Sequence, residues 1–447
     1  MSYEKLDDSE VISKPQNELE ENLPYEGKKG IFWIISVINS IAQKFYGDYF
    51  SPFAARIGVA GWLMGFLTSI RNLISSLFQG IFGRFSDKFG RKLFLIISLS
   101  LSFIITTLLI FLGNKTTVII ASVFQSLAIC IFTPSWNAAI GDITQMKGRG
   151  SFMGRLAAAG QVFSVSSTLL IAALFFIVER FEGRVFLGWT IFLSWEQQYM
   201  IAFAFSAFSY LVALIIIFFF KETNSVKDKP LINNEVKSNL FEPFKNSVFL
   251  RFLLVHIIFS VVMSSVWPLM PFIQINILDM KFYQIALTSA SFAICMGVFQ
   301  VIGGRMADKI GRKKVILIGA AILIFFPISY TPAIIFQKWW FSILANIVAG
   351  SGSGFFYTTI NTYILDLSKR ESMGTFAGWK EALTGTATFI GSLSGGFIID
   401  ALTNSYGLII MGISMTIGVT ILRFLAFFGY LFVKENFTKE ETMTKNP

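Results

Sequence analysis

Two short stretches of this sequence pair opposite charges at a fixed spacing. Residues 78–92 read FQGIFGRFSDKFGRK and residues 299–313 read FQVIGGRMADKIGRK, 221 residues further on. Ten of the fifteen positions are identical. In both copies a carboxylate stands four residues before a guanidinium: Asp87 with Arg91, and Asp308 with Arg312. On a continuing helix that spacing places the two on one face, within ion-pair reach. Gly90 and Gly311 between them favour instead a tight bend with positive φ. In either geometry an acid meets a base, and where water thins out such a pair exceeds the ~0.2–1 kcal/mol of an exposed one. Gly83 and Gly304, near the end of the preceding segment, allow close helix packing. The neighbouring Arg84, Lys88, Lys92, Lys313 and Lys314 need only enforce topology, but topology asks for no aspartate and no fixed spacing. A weaker echo follows about fifty residues on: Trp136-Asn137, Asp142 and Arg149 correspond to Ile360-Asn361, Asp366 and Arg370.

A second set of charges lies inside long apolar runs, where each costs roughly 2.5–3.5 kcal/mol and therefore reads as functional. Lys44 and Asp48 are four apart and pair with each other. Arg71, Lys380, Glu381, His256 and Arg423 complete the set. The deepest of these leave a surplus of two positive charges, which suits an anionic or zwitterionic solute better than an organic cation. Asp48, Glu381 and His256 are each able to carry a proton in a dehydrated site. Asn137 and Asn361 read as hydrogen bonders between helices. Gly350, Gly352 and Gly354 read as close-packing or bending positions.

The elements that must position these groups follow from composition. The chain has 447 residues, 54% hydrophobic and 14% charged, with 50 Phe and a mean hydropathy of +0.64. An ordinary soluble domain carries roughly 25% charged residues. This leaves a membrane protein of many spans and excludes a fibre, a disulfide scaffold or a typical soluble enzyme. A bilayer-crossing helix needs ~20 apolar residues. Twelve such runs are found, at 31–55, 59–82, 92–112, 116–140, 153–178 and 197–220, then 248–274, 283–304, 314–334, 339–365, 374–399 and 406–433. They are continuously apolar rather than alternating, so they are helices and not barrel strands.

Sidedness comes from the basic residues. Of 37 Lys and Arg, 24 fall in the even-numbered gaps and the juxtamembrane tails, and six in the odd-numbered gaps. That places both termini in the cytoplasm, and it accounts for the net charge of +10 without a nucleic-acid partner. Residues 1–29 are acid-rich and polar, unlike a signal peptide, and read as a disordered cytoplasmic tail. The longest polar stretch between spans, 222–247, contains Pro230 and Pro243 and divides the chain into six-span halves, 30–221 and 248–433. Residues 434–447 form a second cytoplasmic tail.

The repeated loop G-x-x-x-D-[RK]-x-G-R-[RK], present as Gly83–Lys92 and Gly304–Lys313, resembles the loop signature of the major facilitator superfamily. With twelve spans and a central linker, the resemblance covers residues 30–433. It implies an all-α membrane fold of two six-helix bundles about a central cavity that opens alternately to each side. It also implies that Asp87, Arg91 and Asp142 form one cluster and Asp308, Arg312 and Asp366 another. These clusters, with Gly83, Gly90, Gly304, Gly311, Arg149 and Arg370 around them, would latch the cytoplasmic side in the outward-facing state. Spans one, four, seven and ten of the family face the cavity, which favours a substrate or proton-coupling role for Lys44 and Asp48. Span twelve is peripheral, which makes Arg423 structural.

The function expected is secondary active transport of a small solute, with proton coupling open and the protein a monomer in the cell membrane. The alternative is a proton-coupled multidrug antiporter. Such exporters resemble this chain less: their span-four arginine is Ser122 here, and no G-P-x-x-G-G run occurs in span five. A lipid enzyme or a sensor is disfavoured by the absence of a clustered nucleophile and base. The lone His256 and the apolar setting of Cys130 and Cys295 speak against a metal site, and no cofactor or ATP-binding loop is expected.

Overall fold

The computed structural model describes residues 29–143, 149–181, 185–186, 189–190, 193–219, 241–368 and 372–434. The expected tails and most of the central linker lie outside these. So does Arg370, and of Arg149 only the backbone, at the start of span five, is described.

Twelve helical spans run through the described residues. In the first half they are Lys29–Arg56, Gly61–Phe89, Arg91–Phe111, Lys115–Ile143, Arg149–Arg180 and Trp195–Phe218. In the second half, span seven comprises Ser247–Ser264, Leu269–Phe272 and a terminal π turn, Ile273–Ile277. Then follow Phe282–Ile310, Arg312–Ser329 with Thr331–Phe336, Phe341–Leu367, Met373–Tyr406 and Leu408–Leu431. An antiparallel pair of two-residue strands, Val185–Phe186 and Trp189–Thr190, lies between spans five and six in sequence. Helices dominate because lipid offers the backbone no hydrogen-bond partner, so each N–H must be satisfied within its own segment.

Ten of these spans are long and apolar enough to cross a membrane on composition alone. The two that are not are spans one and two: span one carries Lys44 and Asp48, and span two carries Arg71 and contributes polar lining to the cavity described below. Spans two, eight and eleven outrun the apolar stretches expected for them, to Phe89, Ile310 and Tyr406. Their last turns are polar and continue the helix beyond the hydrocarbon-length core. Span seven was expected as one helix but breaks at Ser265–Pro268. Pro268 and Pro271 lack the N–H that would continue the ladder, and the chain re-forms through the π turn.

Each half packs as a bundle, and the halves meet along two seams: span two against span eleven, and span five against span eight. The 221-residue repeat relates span two to eight and span five to eleven, so one seam is the pseudo-twofold image of the other. Glycine brings span eleven close to span seven within its half and to span two across the seam. A Cβ on Gly391 or Gly395 would overlap the carbonyl oxygens of Val261 and Ser265 in span seven, and one on Gly396 that of Gly61. Gly391→Val is therefore expected to lower thermal stability by about 1–3 kcal/mol, the usual cost of overpacking. Unfolding of the purified protein measures it.

The apolar core is asymmetric along the membrane normal. At one end a single cluster draws on both halves, with Tyr49, Phe53 and Phe175 packed together with Val266, Phe272 and Phe282. Toward the end bearing the repeated loops the cores separate. One contains Phe32, Leu95 and Tyr210 of the first half, the other Phe249, Phe356 and Tyr430 of the second. The molecule is thus sealed at one end, hereafter the sealed end, and parted at the other, the loop end.

Candidate functional site

At the loop end the repeated charges form two clasps. Helix two stops at Gly90 and helix eight at Gly311, with φ of 102° and 100°. Only glycine adopts these angles without strain, so of the two geometries open from sequence the bend is realised. The pairing survives it. Arg91 lies 3.3 Å from Asp87 and also donates to Asp142 and to the carbonyl of Ala138. Arg312 donates to Asp308 at 2.5 Å and to Asp366 at 3.0 Å. Each arginine is thereby tied to two carboxylates of its own half.

The lysines next to the clasps do more than set topology. Lys92 donates to the carbonyl of Phe218 at the end of span six, and Lys313 to that of Leu431 at the end of span twelve, which satisfies carbonyls that a helix terminus leaves open. Gly304 is not the close-packing position expected, since no atom lies within 4 Å of a Cβ built there. That role falls to Gly303, against Phe355. Gly83 makes only ordinary contact with Pro134, while Gly350, Gly352 and Gly354 do pack closely on their neighbours.

Deeper in, Lys44 donates to Asp48 at 2.6 Å and to Ser289 of span eight at 2.5 Å. The hydroxyl of Ser289 donates to the same Asp48 oxygen at 2.6 Å. The pair expected within span one is therefore also a bridge between halves. The second Asp48 oxygen is buried without a partner.

A third group surrounds a cavity of about 320 Å³ between the halves. Span two contributes Asn72, Ser76 and Gln79, and the second half contributes His256, Asn361, Lys380 and Glu381. Lys380 donates to Glu381 at 2.7 Å and to Asn361 at 3.3 Å. Asn361 is thus part of the cavity wall, not merely a bonder between helices. His256 is buried, with Nδ1 2.8 Å from the Tyr430 hydroxyl. Gln79 lies about three turns before the end of span two, and Lys380 about two turns into span eleven, so the cavity sits toward the loop end. Arg71 stands apart. Its side chain is exposed in mid-span, within electrostatic reach of Tyr210 and with no carboxylate partner among the described residues.

The sealed end holds groups that sequence reasoning missed. Asp400, near the end of span eleven, accepts from the backbone amides of Gly61 and Trp62 at 2.7 and 2.8 Å. These amides open span two, where a helix presents unpaired donors and the positive end of its dipole. Glu179, at the end of span five, pairs with Lys281, which precedes span eight. Arg56 pairs with Asp279 and donates to the carbonyl of Met280 at 3.0 Å. Below them the rings of Tyr49 and Phe282 stack at 3.9 Å. All these contacts join one half to the other. A signal existed: Ile177-Val178-Glu179 and Ile398-Ile399-Asp400 stand at the same 221-residue offset as the repeated loops.

The comparisons with known proteins bear on this arrangement as a whole. The family model for the Major Facilitator Superfamily matches residues 32–289 and 252–445. Multidrug resistance protein 2 of Bacillus subtilis (strain 168) is 27% identical over 281 residues, covering 60% of this chain and 64% of that protein. The alignment thus spans less than two thirds of that relative. Among solved structures, the nucleoside transporter NupG matches with a TM-score of 0.66 at 14% identity, over 91% of this chain and 99% of that one. A bacterial homologue of the human lysosomal transporter Spinster, inward-facing and unoccupied, matches with a TM-score of 0.66 at 16% identity, over 91% and 97%. At such identities the structural likeness establishes the fold, and the family match establishes membership: this chain belongs to the major facilitator superfamily.

Proposed function

We propose that this member of the major facilitator superfamily carries a small solute across the cell membrane by alternating access. The two bundles rock about the seams between spans two and eleven and spans five and eight. The observation that carries the reading is the one-sided closure. Asp400, the Glu179–Lys281 pair and a shared aromatic cluster hold the halves together at the sealed end, while a polar cavity lies toward the other. The excess of basic residues at the loop end assigns that end, with both termini, to the cytoplasm. On this assignment the conformation is inward-facing, like the Spinster homologue. The two clasps act in the opposite state, closing the cytoplasmic mouth. The protein works as a monomer in the bilayer, with no nucleic acid.

The test is protection of a cavity cysteine. Ser76→Cys, with Cys130 and Cys295 replaced by serine, is expected to react with an impermeant thiol reagent from the cytoplasmic face only, and more slowly with transported solute present. Equal reaction from both faces would refute the reading.

Proton coupling is assigned to Asp48, whose carboxylate accepts from Lys44 of the same span and from Ser289 of span eight. Protonation would remove the charge that pairs with Lys44 and so weaken this bridge, while Lys44–Ser289 and Tyr49–Phe282 still link span one to span eight. Asp48→Asn is expected to leave transport insensitive to a pH gradient and to cut gradient-driven accumulation by about tenfold or more, the equivalent of ~1.4 kcal/mol of coupling. Accumulation in proteoliposomes with and without a pH step measures it. A second reading, efflux of several drugs, is favoured by the likeness to the Bacillus protein. Drug-dye efflux from vesicles, with no response to organic anions, would select it.

A further inference from the structure

Arg423 is the only intramembrane cation among the described residues that is fully buried yet faces no carboxylate. Lys44 has Asp48, Lys380 has Glu381, and Arg71 is exposed. Arg423 is 1% exposed and donates through Nη1 to the carbonyl of Leu323 at 2.6 Å and through Nη2 to that of Met263 at 2.7 Å. Both carbonyls are free for a local reason. Leu323 would bond the amide of residue 327, which is proline. Met263 would bond the amide of Trp267, which turns instead to Ser264 where span seven breaks. The arginine therefore joins spans seven, nine and twelve, the structural role expected of it.

Two carbonyls leave the guanidinium incompletely satisfied. They are dipoles and do not cancel a unit charge, and Nε remains buried with no acceptor. A buried charge without a counter-ion is costly in this setting. Arg423 also lines a second cavity, of about 380 Å³, whose wall is otherwise mostly apolar: Trp267, Met270, Phe292, Leu323 and Phe326, with Asn346 and Ser353 among its few polar groups. Met263, Trp267 and Tyr357 line both this cavity and the central one, so the two adjoin. An apolar chamber with a few convergent polar groups is the usual form of a small-molecule site.

We propose that this chamber is a binding alcove for the organic-anion part of the solute: an aromatic body lies among Trp267, Phe292 and Phe326, and its carboxylate meets Arg423. This rests on the transport reading and extends it to a substrate class. At about 380 Å³ the chamber lies at the small end of the range for small-molecule sites. An amine of the same shape is excluded by the charge already present.

The experiment compares indole-3-acetate with tryptamine, two indoles of like shape and opposite charge, by thermal shift on the purified full-length protein. Indole-3-acetate is expected to raise the melting temperature and tryptamine to leave it unchanged. Arg423→Gln should abolish the effect but also removes helix-joining bonds. Ser353→Asp leaves Arg423 and both its carbonyl partners in place and puts a carboxylate in the chamber. In that variant the protein should stay folded and the apparent affinity for indole-3-acetate should fall at least about tenfold, as expected for losing a favourable charge contact. Equal shifts from both indoles, no shift from either, or unchanged affinity in Ser353→Asp would each overturn the proposal. Because binding is read without transport, such a failure leaves alternating access standing. Charge-selective binding without any transport would sink that reading instead.

Discussion

A cysteine at Phe282 is expected to react slowly with an impermeant thiol reagent from the sealed end, and Glu179→Gln combined with Asp400→Asn is expected to speed that reaction by about a hundredfold. Phe282 is 3% exposed beneath Tyr49 and Phe175. Its reaction therefore reports how often the halves part there. Asp400 contributes two charge-assisted bonds to backbone amides, of a kind worth about 1.5–3 kcal/mol. Glu179 and Lys281 contribute less, because the lysine is more than half exposed and solvent screens the pair to about 1 kcal/mol or below. Losing both shifts the equilibrium between closed and parted by about 2–4 kcal/mol, or one to three decades. Replacing Asp400 alone should retain most of the effect and Glu179 alone little. An unchanged rate in the double variant would mean that the aromatic cluster and the Arg56 contacts hold the end without Glu179 and Asp400.

The second large effect concerns the clasps. Asp87→Asn with Asp308→Asn is expected to lower transport at least about tenfold while changing thermal stability little. The two aspartates are 61% and 68% exposed in this conformation, so each exposed ion pair contributes at most about 1 kcal/mol to it. Arg91 and Arg312 also keep Asp142 and Asp366 as partners. A role confined to this state would thus leave transport almost untouched. A large kinetic loss would place the work of these carboxylates in the state where the loop end closes and water leaves them. Initial rates in vesicles and unfolding of the same preparations separate the two.

These contrasts explain what the sequence reveals and what it hides. The twelve spans and the clasps are local features: long apolar runs and a four-residue spacing suffice to read them. The partners that span the halves are not local. Ser289 is 245 residues from Lys44, and nothing in its surroundings marks it. Asp400 finds its donors on backbone amides, which no side-chain pattern announces. The repeat could have exposed Glu179 and Asp400, because duplicated halves place equivalent acids at equivalent helix ends. Lys92 and Lys313 read as topological because a basic residue in a loop has that role by default, yet each also closes a helix terminus. Gly304 was preferred to Gly303 because it matches the repeated motif, whereas packing depends on which neighbour faces span ten. The break in span seven follows from Pro268 and Pro271, and it supplies one of the carbonyls that hold Arg423.

The most direct measurement of the central claim is a pair of spin-label distances. One pair, at Leu93 and Ile310, reports the loop end; the other, at Leu112 and Phe336, reports the sealed end. All four side chains are exposed. Double electron–electron resonance on the wild type and on the Glu179→Gln, Asp400→Asn variant should show the sealed-end distance lengthening as the loop-end distance shortens. Lengthening at the sealed end with no change at the loop end would contradict two rigid bundles rocking about a shared passage.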